Sequence, residues 1–169
     1  MRREPWYRRG ARARNAIVKV CHARTGKPAM NQTAHAIAEE MRKLQGVWKQ
    51  IAYERDGVSE PPDEQGWEPT VAIVGDTFVV TLADGNTPIR GTYRLDPRRD
   101  PKTIDWLDAV GEDAGKKIPG IYSLEGDRFT FCAAYAGGER PTEFRTRPGH
   151  VLRTSQRLTP APAAADAER

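Results

Sequence analysis

The sequence contains few of the residues that build disulfide frameworks, and it lacks long apolar stretches. Its 169 residues include only two cysteines, Cys21 and Cys132, which have no C-x-x-C spacing and are too few for a disulfide framework. The longest apolar stretch is about five residues, far below the roughly 20 that a membrane-spanning helix needs. No secretory signal with an apolar centre is visible. We therefore expect a cytoplasmic protein without a membrane span.

Histidine is also scarce, and the three histidines are far apart. His22, His35 and His150 lie in separate segments, and none is spaced with a second ligand as metal sites require. We expect no metal site and no cofactor, and we assign no catalytic residue. Cys132 would act as a nucleophile only beside a histidine base. A small, partly buried side chain is the favoured interpretation of Cys132.

The positive charge is concentrated at one end of the chain. The net charge is +4 and the pI is 9.2. Residues 1–30 hold nine Lys and Arg against Glu4, a net charge of +8, which leaves −4 on the other 139 residues. The folded part is therefore expected to be mildly acidic. Nucleic acid is an unlikely partner except through the basic segment.

The two ends of the chain are predicted to lie outside the folded domain. Residues 1–30 combine like charges without a sustained apolar period, which is typical of a disordered leader. A nucleic-acid-binding arm or an address is the alternative, and Met30 is a candidate for the true start. Residues 159–169 are rich in alanine and proline and predict a disordered tail. The domain is thus expected to span residues 31–158.

The first organised segment, residues 31–45, has the period of an amphipathic helix. Its apolar residues recur three, four and three positions apart, at Ala34, Ile37, Met41 and Leu44. Asn31 is a plausible N-cap, and Gly46 is expected to end the helix. The apolar face is predicted to pack across one end of the body that follows.

After Gly46 the apolar period changes from 3.6 to 2. Eight strand patterns follow, joined mostly by Gly and Asp turns, at residues 47–55, 70–74, 77–82, 89–95, 102–107, 118–124, 129–135 and 150–158. No helical pattern separates them, so parallel crossovers are not expected. The pattern predicts an all-β fold, either a sandwich or an up-and-down barrel, and the hairpin succession favours an eight-stranded antiparallel barrel. Such a barrel is either filled by side chains or holds one small ligand.

A series of short motifs in residues 44–158 carries a family resemblance: Leu44-Gln45-Gly46-Val47-Trp48, Glu54-Arg55-Asp56-Gly57, Gly91-Thr92-Tyr93, Pro101-Lys102-Thr103-Ile104-Asp105, Gly120-Ile121-Tyr122, Cys132 and Arg140-Pro141-Thr142-Glu143-Phe144. Together they resemble a lipocalin-like domain family of uncharacterised bacterial proteins, first catalogued among planctomycetes. The resemblance implies a calycin-like β-barrel. The family brings no established reaction, ligand or catalytic residue.

The resemblance also implies how the barrel is closed. In lipocalins, the tryptophan of a Gly-x-Trp motif closes the barrel floor, and a basic side chain of the last strand covers it. Gly46 and Trp48 match this motif. Arg153 or Arg157 is then expected to place its cation over the indole ring.

The candidate ligand-binding residues are Arg140, Glu143 and four inward aromatic residues. Arg140 offers a forked donor to a ligand carboxylate, with Tyr93 or Tyr122 assisting. In the favoured alternative, Arg140 or Glu143 pins the loop before the last strand by pairing within the fold. The aromatic residues either line a cavity or form the core: Tyr93, Trp106, Tyr122 and Tyr135.

Three functional hypotheses follow. The leading one is a non-catalytic barrel that binds a small apolar or amphipathic molecule. The second is a structural or protein-interaction module with a solid barrel, which contacts its partner through the acidic loop 58–69 or the basic leader. The third is an enzyme with Asp105, Glu143 or Tyr122 in the barrel mouth, although no spacing argument brings Asp105 and Glu143 together. No oligomeric state is indicated.

Overall fold

The computed structural model describes residues 27–60 and 69–160. These residues form one helix and nine strands, which we label in chain order: α1 (Lys27–Leu44), β1 (Gly46–Arg55), β2 (Val58–Ser59), β3 (Thr70–Val74), β4 (Thr77–Thr81), β5 (Ile89–Asp96), β6 (Lys102–Asp108), β7 (Lys117–Glu125), β8 (Arg128–Ala134) and β9 (His150–Pro160).

The strands close into an antiparallel up-and-down barrel. From β3 to β9 each strand pairs with the next, β3 pairs with β1, and β1 pairs along its length with β9. The two-residue β2 pairs only with the end of β1, so eight strands form the closed wall. This confirms the predicted eight-stranded barrel preceded by a short helix, a fold that is consistent with a calycin-like architecture.

The helix begins at Lys27 rather than at Asn31. The predicted N-cap at Asn31 is therefore wrong, because this residue lies inside the helix. Pro28 explains the earlier start, since proline is tolerated in the first turn of a helix, where no backbone N–H bond is lost. The helix ends at Leu44, one residue before the predicted end at Gln45, and Gly46 adopts a φ of 123°, which is accessible to glycine.

Two further differences from the predicted boundaries exceed one residue. β9 extends to Pro160, into the segment assigned to the tail. β2 lies in the predicted loop 58–69, because the Asp56-Gly57 turn, with φ values of 52° and 86°, folds the chain back on β1. Residues 1–26, 61–68 and 161–169 lie outside the described residues, so the disordered leader, the acidic loop and the disordered tail stay predictions there.

The barrel has two different ends. The end beside α1, which we call the floor, carries the β3–β4, β5–β6 and β7–β8 turns. The opposite end, which we call the rim, carries the longer connections 82–88, 109–116 and 135–149. Alternation along the strands separates the core from solvent, as in β5, where Tyr93 and Leu95 are buried and Arg90 and Arg94 are exposed.

The interior near the floor is filled by side chains. Leu44 and Trp48 are completely buried, and a cluster of large residues surrounds them: Ile73, Phe78, Tyr93, Leu95, Ile104, Trp106, Tyr122 and Phe129. Ile37 and Met41 of α1 pack against this cluster. The apolar face of the helix therefore covers the floor, as its period predicted.

Candidate ligand cavity of the barrel

Trp48 closes the floor through contacts with the helix and the last strand. Its indole N–H donates to the Leu44 carbonyl at 2.9 Å. The Arg157 guanidinium lies 4.0 Å from the ring centre and also donates to the carbonyls of Gln45, at 2.5 Å, and Lys43, at 2.7 Å. Of the two arginines expected over Trp48, Arg157 occupies that place. It also satisfies carbonyls at the helix C-terminus that have no partner within the helix.

The hydroxyls of Tyr93 and Tyr122 also bond at the floor. Tyr93 donates to the Gly75 carbonyl at 2.8 Å, and burial raises its pKa to about 12. Tyr122 donates to Glu40 of α1 at 3.4 Å, and burial and the Glu40 carboxylate raise its pKa. Lys102 pairs with Glu40 at 2.5 Å. Both hydroxyls therefore serve the floor of the barrel, where the helix docks.

Above this packed region the barrel contains a cavity of about 140 Å³. Most of its wall is apolar and comes from several strands and from Leu82, which follows β4: Val71, Phe78, Val80, Leu82, Ile89, Ile118, Phe129, Phe131, Ala133 and Val151. On β4 and β8, which contribute more than one residue each, these residues lie two apart, so the alternation that builds the core also builds the cavity wall. The barrel is therefore solid at the floor and hollow toward the rim.

Trp106 forms part of the boundary between the two regions. Its ring centre lies 4.8 Å from that of Phe78 and 5.3 Å from that of Phe131, so the indole bridges strands on different sides of the barrel. The residue is buried and lines the cavity. Its indole N–H has no hydrogen-bond partner among the described residues, which is uncommon for a buried donor.

The polar part of the cavity wall comes from β1 and β9. Gln50 lies opposite Ser155 across these strands, and both line the cavity with Arg153. Arg153 Nη1 donates to Gln50 Oε1 at 2.7 Å, and its guanidinium lies 4.5 Å from the Tyr53 ring centre. Burial lowers the pKa of Arg153. The amide nitrogen of the buried Gln50 has no partner among residues 27–60 and 69–160.

One acidic side chain joins this set at the rim end of β6. Asp108 is buried and lines the cavity. Burial, and then repulsion from Asp113, raise the pKa of its carboxyl group. The cavity wall thus carries a cation from β9 and an acid from β6, which stands opposite β1 in the closed strand order.

Arg140 and Glu143 lie in a different place, on the outside of the barrel. Arg140 Nη2 pairs with Asp105 at 2.5 Å, and its Nη1 donates to the carbonyls of Ile104, at 3.1 Å, and Gly120, at 2.5 Å. The connection 135–149 is thereby pinned to β6 and β7, the arrangement that the sequence favoured over a ligand contact. Asp105 faces outward because its neighbours along β6, Ile104 and Trp106, are buried.

The two carboxylates considered for a catalytic role have different basic partners. Asp105 pairs with Arg140 and, at 3.4 Å, with Lys117. Glu143 pairs with Arg147 at 2.5 Å. With Tyr122 bonded at the floor, these three groups occupy three separate hydrogen-bond environments.

Tyr135 and Cys132 also take structural positions. Tyr135 is 42% exposed, and its hydroxyl donates to Asp56 at 2.9 Å, so it ties the rim together. Cys132 is completely buried, and its thiol donates to the Arg145 carbonyl at 3.7 Å. Burial raises the pKa of this thiol to about 11, so it is protonated at neutral pH and a poor nucleophile.

Of the predicted ligand-binding residues, only Trp106 lines the cavity. Sequence reasoning missed Gln50 and Asp108, and it considered Arg153 only as a cover for Trp48. A signal was present, because Arg153 alternates with Val151 and Ser155 at inward positions of a strand. An arginine on the core face of a β-strand is uncommon and marks a position to inspect.

Among the described residues, no group of three or more His, Cys, Asp or Glu side chains is placed to hold a metal ion. Within the same ranges, no helix is long and apolar enough to cross a membrane. Comparison of the chain with protein-family models, curated proteins and solved structures finds no match.

Proposed function

We propose that this protein is a non-catalytic barrel that binds a small apolar or amphipathic molecule. The observation that carries the proposal is the cavity of about 140 Å³ between the packed floor and the rim. Apolar cavities of about 150 Å³ remain dry and bind benzene-sized molecules. Binding such a molecule would restore contacts that the cavity walls lack.

The volume restricts the size of the ligand. Drug-sized ligands occupy pockets of roughly 300 to 1,000 Å³, which is well above the volume here. The ligand is therefore expected to resemble benzene or toluene in size rather than a long-chain lipid. Aromatic rings in the wall, from Phe78, Trp106 and Phe131, suit an aromatic or branched guest.

Toluene titration followed by NMR tests this function. Methyl and aromatic resonances of Val80 and Phe131 are expected to shift in a saturable way. Val80→Phe places a larger side chain in the cavity and should abolish the shifts. Val79→Phe is the matched control, because Val79 precedes Val80 on the same strand and lies outside the set of cavity-lining residues. Absence of saturable binding to the unmodified protein overturns the proposal.

A solid structural module is the second candidate, and the filled floor favours it. Ten buried residues form one continuous cluster that includes the floor, and it would stabilise a barrel that contacts other proteins from its outer surface. In that case Val80→Phe should raise the thermal midpoint by filling unused space, with no loss of any ligand.

We also propose that the chain belongs to the lipocalin-like family. The contact between Trp48 and Arg157 at the floor supports this assignment.

A further inference from the structure

Two buried side chains that line the cavity carry N–H groups without a partner. Trp106 is 6% exposed and Gln50 is 4% exposed, and among the described residues neither the indole N–H nor the amide nitrogen finds an acceptor. Most buried donors in folded proteins are paired, because an unpaired one lowers stability. Packing of the barrel alone therefore does not account for these two donors.

The surroundings of Trp106 indicate where an acceptor can enter. Its ring packs against aromatic rings, with centre-to-centre distances of 4.8 Å to Phe78, 5.3 Å to Phe131 and 5.6 Å to Tyr93. The Tyr93 hydroxyl is already bonded at the floor, where it donates to the Gly75 carbonyl. The cavity is the neighbouring space that the protein leaves unfilled. An acceptor for the indole N–H is therefore expected to come from a molecule bound there.

The amide of Gln50 presents a second donor from the other side of the barrel. Its Oε1 receives a hydrogen bond from Arg153 at 2.7 Å. Because a guanidinium only donates, this atom is the carbonyl oxygen, and the amide nitrogen is the end without a partner. Gln50 lies on β1 and Trp106 on β6, which stand opposite each other in the closed strand order. A guest that accepts hydrogen bonds is complementary to both walls.

The ionisable groups of the wall favour a neutral guest. Burial lowers the pKa of Arg153 and raises the pKa of Asp108, so the surroundings disfavour a charge of either sign. A charged guest would meet the same desolvation cost. It would also face a like charge, because both residues line the cavity: ionised Asp108 repels an anion and Arg153 repels a cation.

From these observations, we propose that the ligand of the barrel is a small neutral molecule with a hydrogen-bond-accepting oxygen, such as a cyclic ketone, which Trp106 and Gln50 select by donating to it. The cavity volume of about 140 Å³ limits its apolar body to about six carbons. This inference rests on the proposed binding function. It specifies the chemical class of the ligand and the residues that distinguish it from a hydrocarbon of the same shape.

Cyclohexanone and methylenecyclohexane form a suitable probe pair, since they have nearly the same shape and only the ketone carries an accepting oxygen. In an apolar cavity without donors, the alkene would bind about thirtyfold or more tightly, because the ketone would lose its hydration without compensation. With donors from Trp106 and Gln50, cyclohexanone is expected to bind at least as tightly as the alkene. Titrations followed by NMR measure both dissociation constants.

The indole N–H resonance of Trp106 reports the contact in the unmodified protein. Cyclohexanone should shift its proton signal downfield in a saturable way, as a new hydrogen bond does, and methylenecyclohexane should not. The resonance is assigned by its loss in Trp106→Phe. The resonance of Trp48, whose N–H donates to the Leu44 carbonyl, is the internal control.

Two variants test the donors, with the ratio of ketone affinity to alkene affinity as the readout. This ratio is used because a change in cavity size affects both probes alike. Trp106→Phe and Gln50→Met each remove a donor and should lower the ratio, Trp106→Phe by about tenfold. Phe131→Leu is the matched control, since it enlarges the cavity without removing a donor, and it should change the ratio by less than about twofold. Circular dichroism confirms that each variant is folded.

Two ions of similar size test the exclusion of charge. Cyclohexylammonium carries donors and a positive charge, and cyclopentanecarboxylate carries acceptors and a negative charge. Neither is expected to shift the Trp106 resonance at concentrations that saturate the protein with cyclohexanone. Binding of either ion as tightly as cyclohexanone would overturn the assignment of a neutral ligand.

The outcomes separate this inference from the proposed function. If toluene, cyclohexanone and methylenecyclohexane all fail to bind, both are overturned. If toluene and the alkene bind and the ketone binds about tenfold more weakly or worse, the ligand class is overturned and the binding function stands. The same conclusion follows if a bound water already satisfies the donors, in which case the Trp106 resonance does not move and neither variant lowers the ratio. A downfield shift, with a ratio that falls in either donor variant and not in Phe131→Leu, supports the inference.

Discussion

Arg153 and Arg157 lie on the same strand and face the same way, yet the two ends of the barrel surround them differently. Arg157, near the floor, stacks on Trp48 and donates to Lys43, Gln45 and Asp127. Arg153, four residues earlier, donates to the Gln50 carbonyl and stacks on Tyr53 at the edge of a cavity. Arg157 therefore stabilises the closed floor, whereas Arg153 lines the cavity.

This difference between the two ends indicates which part of the barrel is available for a function. At the floor, the indole N–H of Trp48 and the hydroxyls of Tyr93 and Tyr122 all have partners. In the cavity, the N–H groups of Gln50 and Trp106 have none among the described residues. A buried hydrogen-bonding group without a partner lowers the stability of the fold, and proteins retain such groups mainly at functional sites. Stability is therefore expected to depend on the floor and binding on the cavity.

The largest effect is expected at Trp48. Trp48→Ala removes a completely buried indole and should lower the free energy of unfolding by about 3 to 5 kcal/mol. Chemical denaturation followed by circular dichroism measures this loss. A loss below about 1 kcal/mol would show that the floor does not organise the barrel.

Two substitutions calibrate that measurement. Val80→Ala in the cavity wall should cost only about 1 kcal/mol, because its side chain borders empty space and loses fewer contacts. Val74 is 70% exposed, so Val74→Ala should change stability by less than about 0.5 kcal/mol. Equal losses for Trp48→Ala and Val80→Ala would contradict the contrast between floor and cavity.

The two arginines give the next largest effect. Arg157→Met should lower the free energy of unfolding by about 2 to 3 kcal/mol, because it leaves helix carbonyls unpaired and removes the cation from Trp48. Arg153→Met should change it by about 1 kcal/mol or less in either direction, since the lost contacts are offset by relief from burying a charge. Both values come from urea unfolding at pH 7.

The opposite ranking would reverse the roles of the two residues. A loss at Arg153 larger than that at Arg157 would mean that the cavity-side arginine contributes more to the stability of the fold than the arginine at the floor does. Arg128→Met, at an exposed position at the floor end of β8, controls for the general removal of positive charge. It should have an effect below about 0.5 kcal/mol.

The barrel could be predicted because its strands carry local signals. In β5, buried and exposed residues alternate from Tyr93 to Leu95, and β3 spans the predicted residues Thr70–Val74. Gly and Asp turns mark where each hairpin reverses. The short β2 was missed because it has two residues, too few to show a period.

The cavity was harder to predict. The side-chain period shows on which face of a strand each side chain lies, but not how far along the barrel axis it is. β1 shows why. Strict alternation would place Trp48, Gln50, Ala52 and Glu54 on one face, but a register shift between Gln50 and Ala52 buries Tyr53 instead and leaves Ile51 and Ala52 exposed. Tyr53 thereby comes to stack with Arg153. Such a bulge has no clear signal in a single sequence.

The smallest effect is expected at Asp108, the acid in the cavity wall. Burial and Asp113 raise the pKa of its carboxyl group above 3.8, so ionisation is less favourable in the folded protein than in the unfolded chain. This penalty is absent at low pH, where both states are protonated, and is complete above the raised pKa. Asp108→Asn should therefore increase the free energy of unfolding at pH 7, by less than about 1 kcal/mol, and have no effect near pH 3.

Urea unfolding of Asp108→Asn and the unmodified protein across that pH range measures the difference. If Asp108→Asn instead lowers stability at pH 7, its carboxylate is stabilised by an attractive partner in the cavity.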